Sequence, residues 1–401
     1  MAILTNDTII AVNAETTEGT VAVPASATDG YISVKAEGFS IEPSRDLKER
    51  NNYDGTLAKM DPRLGMKGVS GAVPVEMKGS GTEGGVPDYG ILVESILPTV
   101  KTIAAQNTTK SSGNTGSVLA IEDADIAEYA VGDFITVMQS GAYHPCWITA
   151  VVSTGGAATI TVTPAKASGN FANSVVISKS VTYKPADTGH KSYSVNSYWG
   201  SGGDGVKQTA LGARTSSLAL EGFTTGELPG FNFSYEGMTY THAASSNAPH
   251  TPTYDSSLPS VVLNSKIYKD GTSINVNDVT LNIEQPIKFL TATGDANGKI
   301  AGRAAGKRNV TGSINPYTAG DSVAMFTAWE AGTAFTLTGF TANPDGTNGL
   351  ALGSIVGFYL PRCIVTKINY ADAEGVIIEN IEFMASSGAA GGSMEVALGF
   401  C

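Results

Sequence analysis

Charge is scarce in this chain of 401 residues: Asp, Glu, Lys and Arg make up 15% of it, against about 25% in an ordinary soluble protein. Positive charge is scarcer still, with 25 Lys and Arg facing 37 Asp and Glu, a net charge of -12. That balance excludes a protein that grips nucleic acid by releasing counterions, though not one beside which DNA slides without sticking. Cysteine is nearly absent: Cys146, Cys363 and Cys401 are scattered and form no CxxC pair, which excludes a disulfide framework and a zinc finger. No apolar run approaches the ~20 residues that span a bilayer. The first basic residue is Lys35, so no positively charged leader precedes an apolar segment, and synthesis in a cytosol is expected.

What the chain does have is glycine, 47 residues of it, with abundant threonine, serine and valine. That mixture favours short strands joined by tight turns. The expected fold class is therefore all-β with a few short helices. Strands are expected at Tyr31–Ile41, at Val69–Met77 (on an edge or bulge because of Pro74), and at Phe134–Met138, Cys146–Val152, Ala158–Val162 and Val175–Ile177. Further candidates are Lys191–Tyr198, Ser216–Gly222, Phe231–Tyr240, Val261–Tyr268, Val279–Ile283, Val310–Asn315, Thr336–Thr341, Ser354–Leu360, Cys363–Ala371 and Val376–Ala385. Two windows read as helices: Pro87–Leu97, which starts on proline, and Asp321–Ala331, which starts on an N-capping residue.

Both helices follow the same kind of segment. Lys67 precedes Val69-Ser70-Gly71-Ala72-Val73, and Lys307 precedes Val310-Thr311-Gly312-Ser313-Ile314. Upstream, Ile41-Glu42-Pro43 and Ile283-Glu284-Gln285-Pro286 each end a strand and open a long polar stretch. The order strand, long loop, strand, turn, helix thus occurs twice, which predicts two copies of one β-domain. The expected division is residues 1–105 and 181–256 for the first domain and 257–401 for the second. Residues 106–180 form an inserted small β-module, which starts in a polar stretch and continues with short strands around Ala130–Val137, Ile148–Val152 and Ile160–Pro164.

Motifs that carry chemistry fail on inspection. Gly79-Ser80-Gly81-Thr82-Glu83-Gly84 fits GxGxxG literally, but Val86 and Pro87 intervene before the helix and no βαβ pattern follows, so it reads as a turn. His144-Pro145-Cys146 lacks third and fourth metal ligands and reads as a turn histidine beside a buried thiol. Asn343–Gly349 lacks the terminal glutamate of a calcium loop. Glu122-Asp123 and the Glu15/Glu18 pair read as solvated acids, and no nucleophile elbow occurs. No catalytic, cofactor-binding or metal-binding residue is expected, and no cofactor.

A series of segments resembles the major tail tube proteins of siphophages, the bacteriophages with long, non-contractile tails. It comprises Glu42-Pro43 with Leu47 and Arg50, Gly65–Gly71, Val75–Gly81 and Pro87–Gly90 in the first half. Val181–Pro185, Leu211–Arg214, Gly226–Pro229 with Phe231–Phe233, Tyr268–Thr272 and Val279–Ile283 continue it. The resemblance covers most of the chain, and the module at 106–180 departs from the family's minimal form.

The resemblance implies a structural subunit with two β-barrel or sandwich domains of the tail-tube type, whose sheets join across copies into rings that stack as a tube for DNA passage into the host. It also implies that the polar loop after the first strand reaches the neighbouring ring. That loop is Ser44–Gly65, with Ile287–Gly306 as its counterpart; the other reading is a mobile surface loop. The contact residues would be Arg45, Asp46, Lys48, Arg50, Asp54, Lys59, Arg63, Lys288, Lys299 and Arg303. A doubled subunit implies homotrimeric, pseudo-sixfold rings, with a homohexamer as the alternative. The implied partners are a tape measure protein inside the tube, tail terminator and distal tail proteins at its ends, and passing DNA bound without sequence preference, with no membrane. The implied location is the virion tail, after assembly in the host cytoplasm. Two other classes compete: a receptor-binding or adhesin-type β-module, and a glycan-degrading β-enzyme with a carboxylate-lined cleft.

Overall fold

A computed structural model describes residues 7–50, 52, 58–153, 158–200, 205–244, 247–263, 265–317, 322–345, 349–373, 375–387 and 394–401. The chain is nearly all strand, with two α-helices among the described residues. Its centre is a run of eight antiparallel strands. In spatial order they are Ser40–Lys48, Arg63–Glu76, Gly230–Gly237, Val206–Thr224, Val276–Glu284, Asn309–Pro316, Val376–Ala385 and Val356–Ala373. Side chains alternate across this sheet. Val73, Phe233, Leu218, Leu281, Ile314 and Ile381 point into one core, and Ser70, Ser234, Asn282, Ser313 and Glu382 point the other way.

Two long strands leave this sheet to build the layer behind it. Val206–Thr224 bulges between Thr215 and Ser217, and its first half pairs with Tyr193–Trp199 and Thr239–Ala244. Val356–Ala373 bulges between Val365 and Lys367, and its first half pairs with Phe335–Thr341 and Ala397–Phe400. A bulge bends the strand and increases its twist, which lets one strand serve two layers.

The two halves of the central sheet also agree row by row. Ile41, Gly71, Tyr235 and Thr215 lie side by side in one half, and Leu281, Gly312, Phe383 and Val365 in the other. Each row ends one step before a bulge. A Cβ on Gly71 would come 2.1 Å from the Ser40 carbonyl oxygen, and one on Gly312 would come 2.3 Å from that of Thr280. Glycine is required at both places because the neighbouring strand's carbonyl and an aromatic side chain together fill the space a Cβ would take.

The first helix is Gly90–Ile96, shorter than the expected Pro87–Leu97. Pro87–Gly90 is a turn instead, closed by Gly90 N–H donating to Pro87 O. Its conformation is set from outside: Tyr89 OH donates to Lys78 O at 2.6 Å, and Asp88 lies 3.7 Å from the buried Lys78 ammonium. The second helix is Ser322–Ala331, and its expected cap Asp321 lies outside the described residues.

Several expected strands differ. Tyr31–Ile41 is not one strand; Tyr31 and Val34 make isolated bridges to Ala11 and Val75 before the strand opens at Ser40. That segment crosses between the two layers, so no neighbour runs beside it for long. Phe231–Tyr240 breaks at Met238 into two strands, and Val261–Tyr268 is a strand only from Lys266. Pro74 pairs with Asn232 on one side, while on the other its carbonyl accepts from Lys35 N–H, so no ladder donor is missed.

The segment Asn107–Ile177 folds as a separate six-stranded sheet around Leu119, Ile135, Val137, Ile148 and Ile160. Phe134 and Trp147 join it to the main body. Trp147 stacks on Tyr359 at 5.4 Å, and Phe134 N–H donates to Thr182 Oγ1. Asp133, wholly buried, is 2.6 Å from Lys184.

Candidate assembly surfaces

Strand edges expose unpaired N–H and C=O groups, a template for another chain. Among the described residues no strand pairs with the outer edge of Ser40–Lys48, and none with the outer edge of Lys367–Asp372. These are the two ends of the central sheet. In its middle, the corresponding edge of Val206–Thr224 is occupied: Ser217 pairs with Glu284, Leu218 with Ile283, Ala219 with Asn282 and Leu220 with Leu281.

Exposed apolar side chains flank one free edge, and an open groove with both apolar and polar walls flanks the other. Tyr370 is 55% exposed and Ile377 59%. At the other end, Ile10, Ile32, Val34, Phe39, Ile41, Trp199 and Tyr254 line a groove of about 700 Å³. The groove is the open mouth between the two layers, since Ile41 belongs to the central sheet and Ile10 and Trp199 to the layer behind it.

The polar face of the central sheet carries Glu42, Glu76, Glu221, Glu236, Glu284 and Glu382, met by four cations: Lys367, 3.1 Å from Glu382; Arg214, opposite Glu236 in the ladder; Lys299, near Glu236; and Lys35, over Gly230 between Glu76 and Glu221. Asn232 donates to Glu221, Asn282 to Glu284, and Thr280 bonds Ser313 at 2.8 Å. Carboxylates, amides and hydroxyls make up most of this face.

The candidate contact residues fall on two arms. Arg45, Asp46 and Lys48 lie on Ser40–Lys48 and Arg63 opens Arg63–Glu76, so both ends of what was expected to be a loop are strand, with Leu47 paired to Leu64. Lys48 is 3.4 Å from Asp46, Lys59 is 2.6 Å from Glu49, Arg45 Nε donates to Gly65 O at 3.5 Å, and Arg50 is exposed. Asp54 lies outside the described residues. The expected counterpart loop is a hairpin, Ile287–Thr291 with Lys299–Ala304.

This hairpin folds back on the body. Lys67 N–H donates to Asn297 O at 3.4 Å, and Lys299 Nζ reaches Gly237 O and lies 4.6 Å from the Phe289 ring centre. Arg303 turns away to Glu18 at 4.0 Å, and Lys288 stays exposed. The structure thus brings Lys299 to the root of the first arm and leaves Arg303 elsewhere.

Sequence reasoning took Glu18 for a solvated acid. It is partly buried, accepts two bonds from Arg214 and one from Gly302 N–H, and pins the hairpin to the sheet. Nothing local in the sequence marks it, since Arg214 is 196 residues away.

His144 lies in the strand Ala142–Val152, not in a turn, and Cys146 beside it is buried, with its thiol pushed up by desolvation. The glycine-rich Gly79–Gly84 is a turn that packs on Gly353. Among the described residues no group of His, Cys, Asp and Glu is arranged to hold a metal, and no helix is long and apolar enough to cross a membrane.

A central sheet left open at both ends, with apolar side chains at each end and a polar face, defines a β-protein whose sheet can be extended by another chain. The chain belongs to the phage tail tube protein family, whose model matches residues 5–385. The family is a structural one, and membership assigns the chain a structural role in the tail of a virion. No curated protein matches the sequence.

Proposed function

We propose that the protein is the repeating subunit of a tube through which DNA passes, built of stacked rings in which one continuous sheet runs around the channel. The observation that carries this reading is the joint already present inside the chain. Val206–Thr224 meets Val276–Glu284 edge to edge, and the free edges at Lys367–Asp372 and Ser40–Lys48 are the same two edges of two similarly ordered units. Each chain then fills two places in a ring, and three copies close it with pseudo-sixfold symmetry. In this reading residues 106–180 are a module carried on the tube, and residues 1–105 with 181–256, and 257–401, are its two ring domains.

The polar face supplies the channel wall. Six carboxylates outnumber the four cations on this face, which leaves it net acidic and disfavours phosphate, and amides and hydroxyls offer DNA no base-specific hold. The arms supply stacking: Leu47 and Leu64, both 60% exposed, make an apolar tip that contact with the next ring would cover. A tape measure protein would fill the channel before DNA does, with terminator and distal tail proteins at the two ends.

Negative-stain microscopy of the purified protein across a concentration series tests this. Rings or tubes that lengthen with concentration are expected. Discrete particles that stay single at high concentration and bind cells or glycans would favour a receptor-binding module instead.

A further inference from the structure

We infer that the end of the Val356–Ala373/Val376–Ala385 hairpin of one copy seats in the groove of a second copy between Ile41 and Ile10, in a register that can be stated residue by residue. The inference rests on the ring reading and specifies its joint.

The register follows from the two matched rows. Thr215 and Val365 each precede the bulge, so Ser217 corresponds to Lys367, Leu218 to Ile368, Ala219 to Asn369 and Leu220 to Tyr370. Gly71 and Gly312 hold the same place under Tyr235 and Phe383, so Ile41 corresponds to Leu281, Glu42 to Asn282, Pro43 to Ile283 and Ser44 to Glu284. Carrying the in-chain pairs across puts Lys367 opposite Ser44 of the second copy, Ile368 opposite Pro43, Asn369 opposite Glu42 and Tyr370 opposite Ile41.

Side-chain direction agrees with this docking. Ile41 faces the core side of its sheet, at the mouth of the groove. A strand added there in this register turns Tyr370 to the same side, over Phe39 and Ile41. The corresponding end of the in-chain hairpin is seated in the same manner. Phe223 is 2% exposed, Gly226 N–H donates to Val262 O at 3.1 Å, Val262 N–H to Glu227 O at 3.0 Å, and Thr224 Oγ1 to Asp278 at 2.7 Å. The hairpin end bearing Tyr370, Val376 and Ile377 is exposed within one copy, and so is the groove that fits it.

Paired cysteines read the register. Asn369→Cys with Glu42→Cys places two thiols directly opposite on the polar face, whereas Asn369→Cys with Ser44→Cys moves the second by two residues, to roughly 7–8 Å. The native thiols Cys146, Cys363 and Cys401 are buried, so the background is quiet. Oxidation of assembled protein is expected to link the first pair between copies and not the second. Tubes in which the first pair stays unlinked, or the second links better, overturn the joint and leave the tube reading standing. If the unaltered protein forms no tube at all, the tube reading fails and the joint with it. Tyr370→Asp is the companion test: a folded subunit with unchanged melting temperature and no tubes is expected, and normal tube yield overturns the joint.

Discussion

Gly312 lies opposite Phe383 in the ladder of the central sheet, and a methyl group on it would come 2.7 Å from the Phe383 ring. Gly71 stands in the same relation to Tyr235, at 2.5 Å from the hydroxyl. Gly312→Ala and Gly71→Ala should each destabilise the fold by about 1–3 kcal/mol, the cost of overpacking a dense core. Gly294→Ala, where a Cβ meets nothing within 4 Å, should cost far less. Urea unfolding of the three variants measures the difference; equal midpoints would contradict the close approach.

Glu18 carries a mechanical load out of proportion to its place in a loop. Its side chain is 13% exposed and its partner Arg214 8%, so Glu18→Gln leaves a buried guanidinium uncompensated, at about 3 kcal/mol. The hairpin Ile287–Ala304 loses its anchor as well. Limited trypsin digestion should then cut at Lys288, Lys299 or Arg303 faster than in the unaltered protein, with the rest of the chain resisting as before.

Trp147 fastens the small module. Its ring stacks on Tyr359 and contacts Phe134, which itself lies against Gly399. Trp147→Ala should cost about 3–5 kcal/mol. Calorimetry should show the module melting in a transition of its own, ahead of the body. A loss of stability without splitting would mean that the module and the body remain one cooperative unit.

Two histidines should make the fold sensitive to acid. Burial holds the His144 imidazole below its usual range, with Lys166 and Lys266 adding to the effect. Burial does the same to His190, where the Ser95 carbonyl pulls the other way and Arg308 and Arg214 push further down. A depressed histidine contributes stability above the unfolded value near 6.5, and that contribution is lost as pH falls below it. Melting temperature should therefore fall between pH 7 and pH 5, and fall less in a His144→Gln, His190→Gln double variant. An identical slope in the two proteins would rule these residues out as the cause.

The sequence made some of this legible and hid the rest for physical reasons. Val69–Val73 and Val310–Ile314 were matched by local pattern, and the ladder aligns them glycine for glycine. In the segment 106–180 the two hairpin pairings, such as Phe134 with Trp147, follow local pattern, whereas Val118 with Thr161 and Thr108 with Val176 close the sheet over distances that local pattern does not reach. The hairpin Ile287–Ala304 was missed because Lys288, Thr291 and Lys299 break the apolar alternation, and its fold depends on Glu18, far away in sequence. Glu18 and Tyr370 matter through contacts that span the chain or lie beyond it, and no spacing rule reaches them. Asp88 and Tyr89 shorten the first helix in the same way, since their partner is Lys78 and not the helix itself.

End-on averages of assembled tubes by electron microscopy test the central claim most directly. The account predicts rings of three copies, with six similar inner lobes and three outer lobes from the module at 106–180. Six copies per ring, each with its own module, would contradict a subunit that fills two places, and the absence of any ring would contradict the tube itself.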